Sequence, residues 1–196
     1  MKEQGLTMSH RKAALRMLAS GMPAGCIMED DVDFSPSFRR LLSLLAASPP
    51  ADIVKLEGIG TVRQVLQVAT IGSHILAVTI KPIMGAAAYL VTRRGAQSIL
   101  DLTETVQEPF DHVLARVVGR ASLVNVLPYP VHQRPEAMII PIDFATVKAR
   151  QVSLVKRIKR ELHRSKRYGL AAMDIIHRFP GQVLGWRRVA LQERCC

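Results

Sequence analysis

The stretch Cys26-Ile27-Met28-Glu29-Asp30-Asp31-Val32-Asp33-Phe34 carries an apolar strand signal straight into three consecutive carboxylates, with a fourth two residues on. Acidic side chains this close repel one another, and without a counter-charge the cluster costs stability. At the C-terminal end of a buried strand they face the crevice in which open α/β sheets bind their ligands. A hard divalent cation relieves the repulsion, and Mg²⁺ or Mn²⁺ prefers carboxylate oxygens. The competing reading is an acidic strand end or helix N-terminus turned to solvent, the usual place of a charge run. Alternation along a strand puts Glu29 and Asp31 on one side and Asp30 opposite. Asp33 is assigned to the turn that follows.

Working outward, the pattern before the acids predicts a helix from Met8 to Ser20, with Leu15 and Leu18 inward and Gly21 and Pro23 as its stop. After them, Ser35-Pro36-Ser37 is a helix start, with serine available as cap and proline suited to the first turn. That helix runs through Phe38, Leu41, Leu42 and Leu45 and stops before Pro49-Pro50. Ile53, Val54 and Leu56 read as a second buried strand. The β-branched stretch from Thr61 to Thr79, interrupted at Gly72-Ser73, reads as a hairpin. Gly85 to Thr92 is a further apolar strand, and Arg94 to Leu102 a helix packed through Ala96, Ile99 and Leu100. Pro109 opens another helix, and Ser122 to Leu127 is a last strand before the turn Pro128-Tyr129-Pro130. Strands alternating with helices predict an α/β layered domain over residues 1–144.

From Ala145 the character changes. Val147, Gln151, Leu154, Val155, Ile158 and Leu162 recur at helical spacing among crowded Lys and Arg, which predicts a basic amphipathic helix within a tail spanning 145–196. A second apolar-basic segment runs from Leu170 to Val189. Of the formal net charge of +11, residues 1–147 supply almost nothing, with 14 Lys/Arg against 13 Asp/Glu. Residues 148–196 carry 13 against 3. A near-neutral body with a basic tail suits an anionic membrane surface, met through residues 147–167 at roughly 1 kcal/mol per well-placed Lys or Arg. The tail packed on the domain, with its charges solvated, is the alternative. Nucleic acid is disfavoured, because only 5% of the residues are aromatic and no nucleic-acid motif is present.

A chain of 196 residues with 48% hydrophobic content is large enough for a real core and outside the composition range of disordered chains. No run of about 18 apolar residues marks a membrane-spanning helix, and Met1-Lys2-Glu3-Gln4 opens no secretory signal. Three cysteines, two of them the pair Cys195-Cys196, make neither a disulfide framework nor a metal cluster. The expected location is the cytoplasm, peripheral at the inner face of the membrane. No Gly-rich phosphate loop, nucleophilic Ser/His spacing or zinc spacing is present.

The segment Gly5-Leu6-Thr7-Met8-Ser9-His10, the helical pattern to Gly21, and Ala24-Gly25-Cys26-Ile27-Met28-Glu29-Asp30-Asp31-Val32 together resemble glycosyltransferase family 25, the lipopolysaccharide-type galactosyltransferases. Further matches follow in the family's order: Phe34-Ser35-Pro36-Ser37-Phe38, Asp52 to Glu57, Ala88 to Ala96, Pro109-Phe110-Asp111-His112 and Pro128-Tyr129-Pro130-Val131-His132-Gln133. The resemblance implies a GT-A-like fold, a layered sheet with helices on both faces, extended here by the basic helical C-terminal segment. It also implies inverting transfer of a sugar, usually galactose, from a UDP-sugar to a saccharide or lipid-linked saccharide acceptor. Family members open with a strand that contacts the uridine base, some tens of residues before the Ser-His helix. This chain starts at Met1, almost on that helix, so the expectation is either a true start further upstream or a shortened relative. Two functional classes stay open: a Mn²⁺- or Mg²⁺-dependent transferase, or a non-catalytic remnant serving as a membrane-associated binding or scaffold module.

Under the transferase reading, Asp31 is the principal metal ligand, Glu29 its partner on metal or ribose, and His132 the third member of the shell. Asp30, His10, Lys55 and Tyr89 join Glu29 in the donor site. Asp111 is the general base on the acceptor hydroxyl, which inversion requires on the side opposite the leaving group. Each has a plainer account: Asp111 charges the first turn of a helix, Ser9 caps a helix beside His10, Tyr89 packs in a core strand, and His132 lies on the surface after a turn.

Overall fold

The computed structural model describes residues 2–59, 63–79, 82–105, 108–134, 169, 173 and 185–189. Helix α1 (Lys2–Ala19) is followed by strand β1 (Ala24–Met28), short strand β2 (Val32–Phe34) and helix α2 (Phe38–Ala47). Strand β3 (Ile53–Lys55), the hairpin of β4 (Arg63–Ile71) and β5 (His74–Thr79), and strand β6 (Ala88–Thr92) come next. Helices α3 (Arg93–Leu102) and α4 (Phe110–Val117) precede β7 (Leu123–Leu127) and β8 (Val131–Gln133), and β9 (Gly185–Val189) comes last.

The main sheet has the order β1-β6-β3-β7-β5-β4-β9, and β2 pairs with β8 in a separate two-stranded ribbon. Strand β3 runs parallel to β7, and the other pairs are antiparallel. It follows that β1, β3 and β7 point the same way, and their C-terminal ends share one edge of the sheet. Alternation divides the core. Val54, Leu56, Ala88 and Leu90 face α2, packed through Leu41 and Leu45. Ile53, Tyr89 and Val91 face a layer built by Ala14 and Met17 of α1, Ala96 and Ile99 of α3, and Phe110, Val113 and Leu114 of α4. Helices therefore cover both faces, the α/β architecture the sequence predicts. The hairpin turns where expected, with Gly72 at a φ of 56° that side-chain-bearing residues avoid.

Several local expectations need correction. Helix α1 begins at Lys2 rather than Met8, and Ser9 is no cap, because its hydroxyl donates to the Gly5 carbonyl one turn back. Its inward face is Thr7, His10, Ala14 and Met17, while Leu15 is 48% exposed. Leu18 does pack, partly buried, against this layer, so of the two leucines expected inward only Leu15 is turned out. Strand β1 lies at the edge of the sheet and is half-buried, not fully buried. Asp33 belongs to β2 instead of a turn, and β8 emerges directly after Pro128-Tyr129-Pro130. At the C-terminal end, Gly185–Val189 does not continue a helical tail; it pairs antiparallel with β4 and extends the sheet. The basic helix expected at 147–167 lies outside the described residues. Among the described residues, no helix is long and apolar enough to cross a membrane.

Candidate functional site

The acids stand at the shared edge where β1, β3 and β7 end. Glu29 is held one step beyond β1 by its amide, which donates to the Ala87 carbonyl at 2.8 Å. The chain then turns through Asp30 and Asp31 into β2. The β2–β8 ribbon is fastened over the end of β3, with Val131 N–H on Leu56 C=O at 3.1 Å and Ser35 N–H on Pro130 C=O at 2.8 Å. Arg134 N–H donates to the Asp31 carbonyl at 2.8 Å and closes the turn.

Glu29 and Asp31 do converge, but simple strand alternation is not the cause, since β1 stops at Met28. They are brought together by Gln133 of β8, whose Nε2 donates to Glu29 Oε2 at 3.1 Å and reaches Asp31 Oδ2 at 3.5 Å. Asp30 is exposed, and Asp33 pairs with Arg134 at 3.0 Å. Withdrawal from water pushes the Asp31 carboxyl above the usual carboxylate range, and the charges of Glu29 and Asp30 push the same way. Its own backbone amide and Gln133 pull it back in part.

Two buried polar atoms here lack a partner: Asp31 Oδ1 and His132 Nδ1. In the ribbon register Asp33 lies opposite His132 and Val32 opposite Gln133. A carboxylate oxygen and an imidazole nitrogen are donor types that suit a divalent cation. Among the described residues, no three His, Cys, Asp or Glu side chains already surround a common point. An ion held at this edge would have to take few protein ligands and complete its shell with substrate oxygens, as Mg²⁺ does with phosphates.

His10 is buried, with its ring flat on Phe110 at 4.0 Å between centroids and 3° between planes. Its Nδ1 lies 3.1 Å from the Tyr89 hydroxyl and its Nε2 3.4 Å from Glu29 Oε1. Tyr89 is fully buried, and burial holds its hydroxyl well above its ordinary pKa. Neither residue keeps a free polar atom for a nucleotide.

Lys55 is 2% exposed, and its ammonium donates to the carbonyls of Ile83 at 2.6 Å and Met84 at 3.1 Å. Burial lowers its pKa to about 8, against the opposing pull of Glu57 and Asp111. Glu57, also buried, accepts from Ala87 N–H at 3.1 Å. Lys55 and Glu57 thus brace the segment from Ile83 to Ala87, and Ala87 in turn holds Glu29. Their side chains serve the loop from inside instead of lining the crevice. Asp111 sits half-buried in the first turn of α4, next to Phe110, with Oδ1 accepting from His112 N–H at 2.8 Å. The sequence pointed to the acids and to most of their neighbours. It gave no role to Gln133, for which a polar residue in a three-residue strand offers no periodic signal.

The model of glycosyltransferase family 25, described as an LPS biosynthesis protein family, matches residues 1–114. No curated protein matches the chain at a significant level. The matched range takes in α1, the acids, both strands of the hairpin, and α3 as far as Leu114 in α4.

Proposed function

Because the chain belongs to glycosyltransferase family 25, a family of LPS biosynthesis, we propose that it transfers galactose from UDP-galactose, with inversion, to a lipooligosaccharide or related cell-surface saccharide. Family membership implies a sugar donor and a saccharide acceptor. The observation that carries it is that Asp31 Oδ1, at the turn into β2, and His132 Nδ1, on β8, are both buried without a partner.

In this reading Asp31 and His132 would hold Mn²⁺ or Mg²⁺ at the sheet edge, and the ion would supply counter-charge for a diphosphate leaving group. Asp30, exposed at the turn, faces the solvent side of the donor. Asp111 takes the proton of the acceptor hydroxyl through the carboxylate oxygen that His112 N–H leaves free. The buried brace of Lys55 and Glu57 fixes the floor on which these groups stand.

The test is calorimetric titration of UDP-galactose with and without Mn²⁺, on the wild-type chain and on Asp31→Ala. Mn²⁺-dependent binding that disappears in the variant is the expected result. Metal-independent binding, or binding that survives in Asp31→Ala, would refute the metal-held donor. Absence of donor binding in either protein would leave the fold as a non-catalytic module.

A further inference from the structure

Both carboxylate oxygens of Glu29 are engaged, one by His10 Nε2 at 3.4 Å and the other by Gln133 Nε2 at 3.1 Å. Asp31 differs. Its Oδ2 is 3.5 Å from the same Gln133 nitrogen, while its Oδ1 is buried with no partner. His10 is fixed from behind by the Tyr89 hydroxyl at 3.1 Å and by the stacked Phe110 ring.

A single tautomer satisfies every contact. With the proton on His10 Nε2, the ring donates to Glu29 and accepts from Tyr89 O–H. Gln133 then donates one N–H to each carboxylate, which directs its amide nitrogen at both. An unbroken chain runs from Tyr89 through His10, Glu29 and Gln133 to Asp31. Its inner end is locked in the core, where Tyr89 and Phe110 are fully buried. Its outer end is Asp31, whose Oδ1 is buried without a partner.

We infer that Glu29, Gln133 and His10 are positioning residues, which orient Asp31 so that Oδ1 meets the cation while none of the three ligates it. This assignment rests on the metal-dependent reading above and reassigns Glu29, which the sequence alone places on the metal. Outer partners that orient a ligand in this way typically change metal affinity by about 10–100-fold when removed.

Mn²⁺ titration by calorimetry on the full chain with UDP present, whose phosphates supply the substrate oxygens of the shell, separates the roles after subtraction of a UDP-only titration, with melting temperatures measured in parallel to confirm that each variant is folded. Asp31→Asn abolishes binding. Glu29→Ala and Gln133→Leu, which break the chain, weaken it about 10–100-fold in proteins that still unfold cooperatively. Glu29→Gln keeps an oxygen for Gln133 and an amide for the other His10 tautomer, so it restores affinity to within about threefold of wild type. If Glu29→Gln is as damaging as Asp31→Asn, Glu29 is a ligand and the inference is overturned. If Glu29→Ala and Gln133→Leu bind like wild type, the chain positions nothing. Failure of the wild-type protein to bind Mn²⁺ would instead overturn the metal-dependent reading itself, and this assignment with it.

Discussion

Lys55→Met tests the buried brace beneath the site. Lys55 is enclosed at 2% exposure, and its pKa is lowered from 10.5 to about 8, chiefly by burial. A folded-state pKa below the unfolded one means that the unfolded chain binds more protons between these values, so stability rises with pH through that window. At neutral pH the shift corresponds to a cost of about 3 kcal/mol, and raising the pH from about 7 to about 9.5 recovers about 2 kcal/mol of it. Other groups act in the opposite sense. Burial raises the Cys26 thiol to about 11 and holds Tyr89 and Tyr129 well above their ordinary range, so each costs stability as the pH climbs. These terms are common to both proteins and cancel in the comparison. Lys55→Met lacks the titrating group but also loses the hydrogen bonds to Ile83 and Met84. Urea unfolding followed by circular dichroism, at about pH 7 and about pH 9.5, supplies the numbers. The stability of wild type relative to the variant should rise by about 2 kcal/mol between the two conditions. A difference that stays constant to within about 0.5 kcal/mol would show that the ammonium is not held in a dry site.

Asp111→Asn should leave Mn²⁺ and donor affinity intact while lowering kcat by about 10²–10⁴-fold, measured as UDP release in the presence of an acceptor. Loss of donor binding instead would move Asp111 from the acceptor side to the donor side. Gly85→Ala should destabilise the chain by roughly 1–3 kcal/mol in urea unfolding. Its φ of 95° strains any side chain, and a Cβ there would stand 2.6 and 2.7 Å from the Glu57 carboxylate oxygens. The control is Gly72→Ala, also at positive φ but with nothing within 4 Å of its Cβ, and it should cost less. Equal losses at the two glycines would mean that the Glu57 cradle contributes nothing.

Much of the architecture was legible along the chain because its signals are local. Strands β3, β6 and β7 are short apolar runs bounded by turns, and the hairpin shows itself at Gly72-Ser73. Helix α3 carries its own cap, Thr92, whose hydroxyl accepts from Gly95 N–H at 3.3 Å. Helix α1 was misphased because its buried face is Thr7, His10, Ala14 and Met17, a set with weak apolar contrast against exposed Leu15. Nothing within that helix says which side meets Phe110 and Tyr89.

What the sequence determined by itself was the α/β class, the place of the acids at a strand end, and the family resemblance carried from Gly5 to Gln133. These depend on residue type, spacing and order, which the chain displays directly. What only the tertiary structure decided was direction. Lys55 was correctly placed at the end of β3, yet whether its ammonium faced the crevice or the loop at Ile83 depended on strands distant in sequence. The ribbon of β2 and β8 joins three-residue segments about a hundred positions apart, too short to announce themselves and too far apart to be paired by pattern. That pairing brings Gln133 between Glu29 and Asp31 and leaves Asp31 Oδ1 open. The role of each acid is set by which of its oxygens is already occupied, and that is a property of contacts made across the fold.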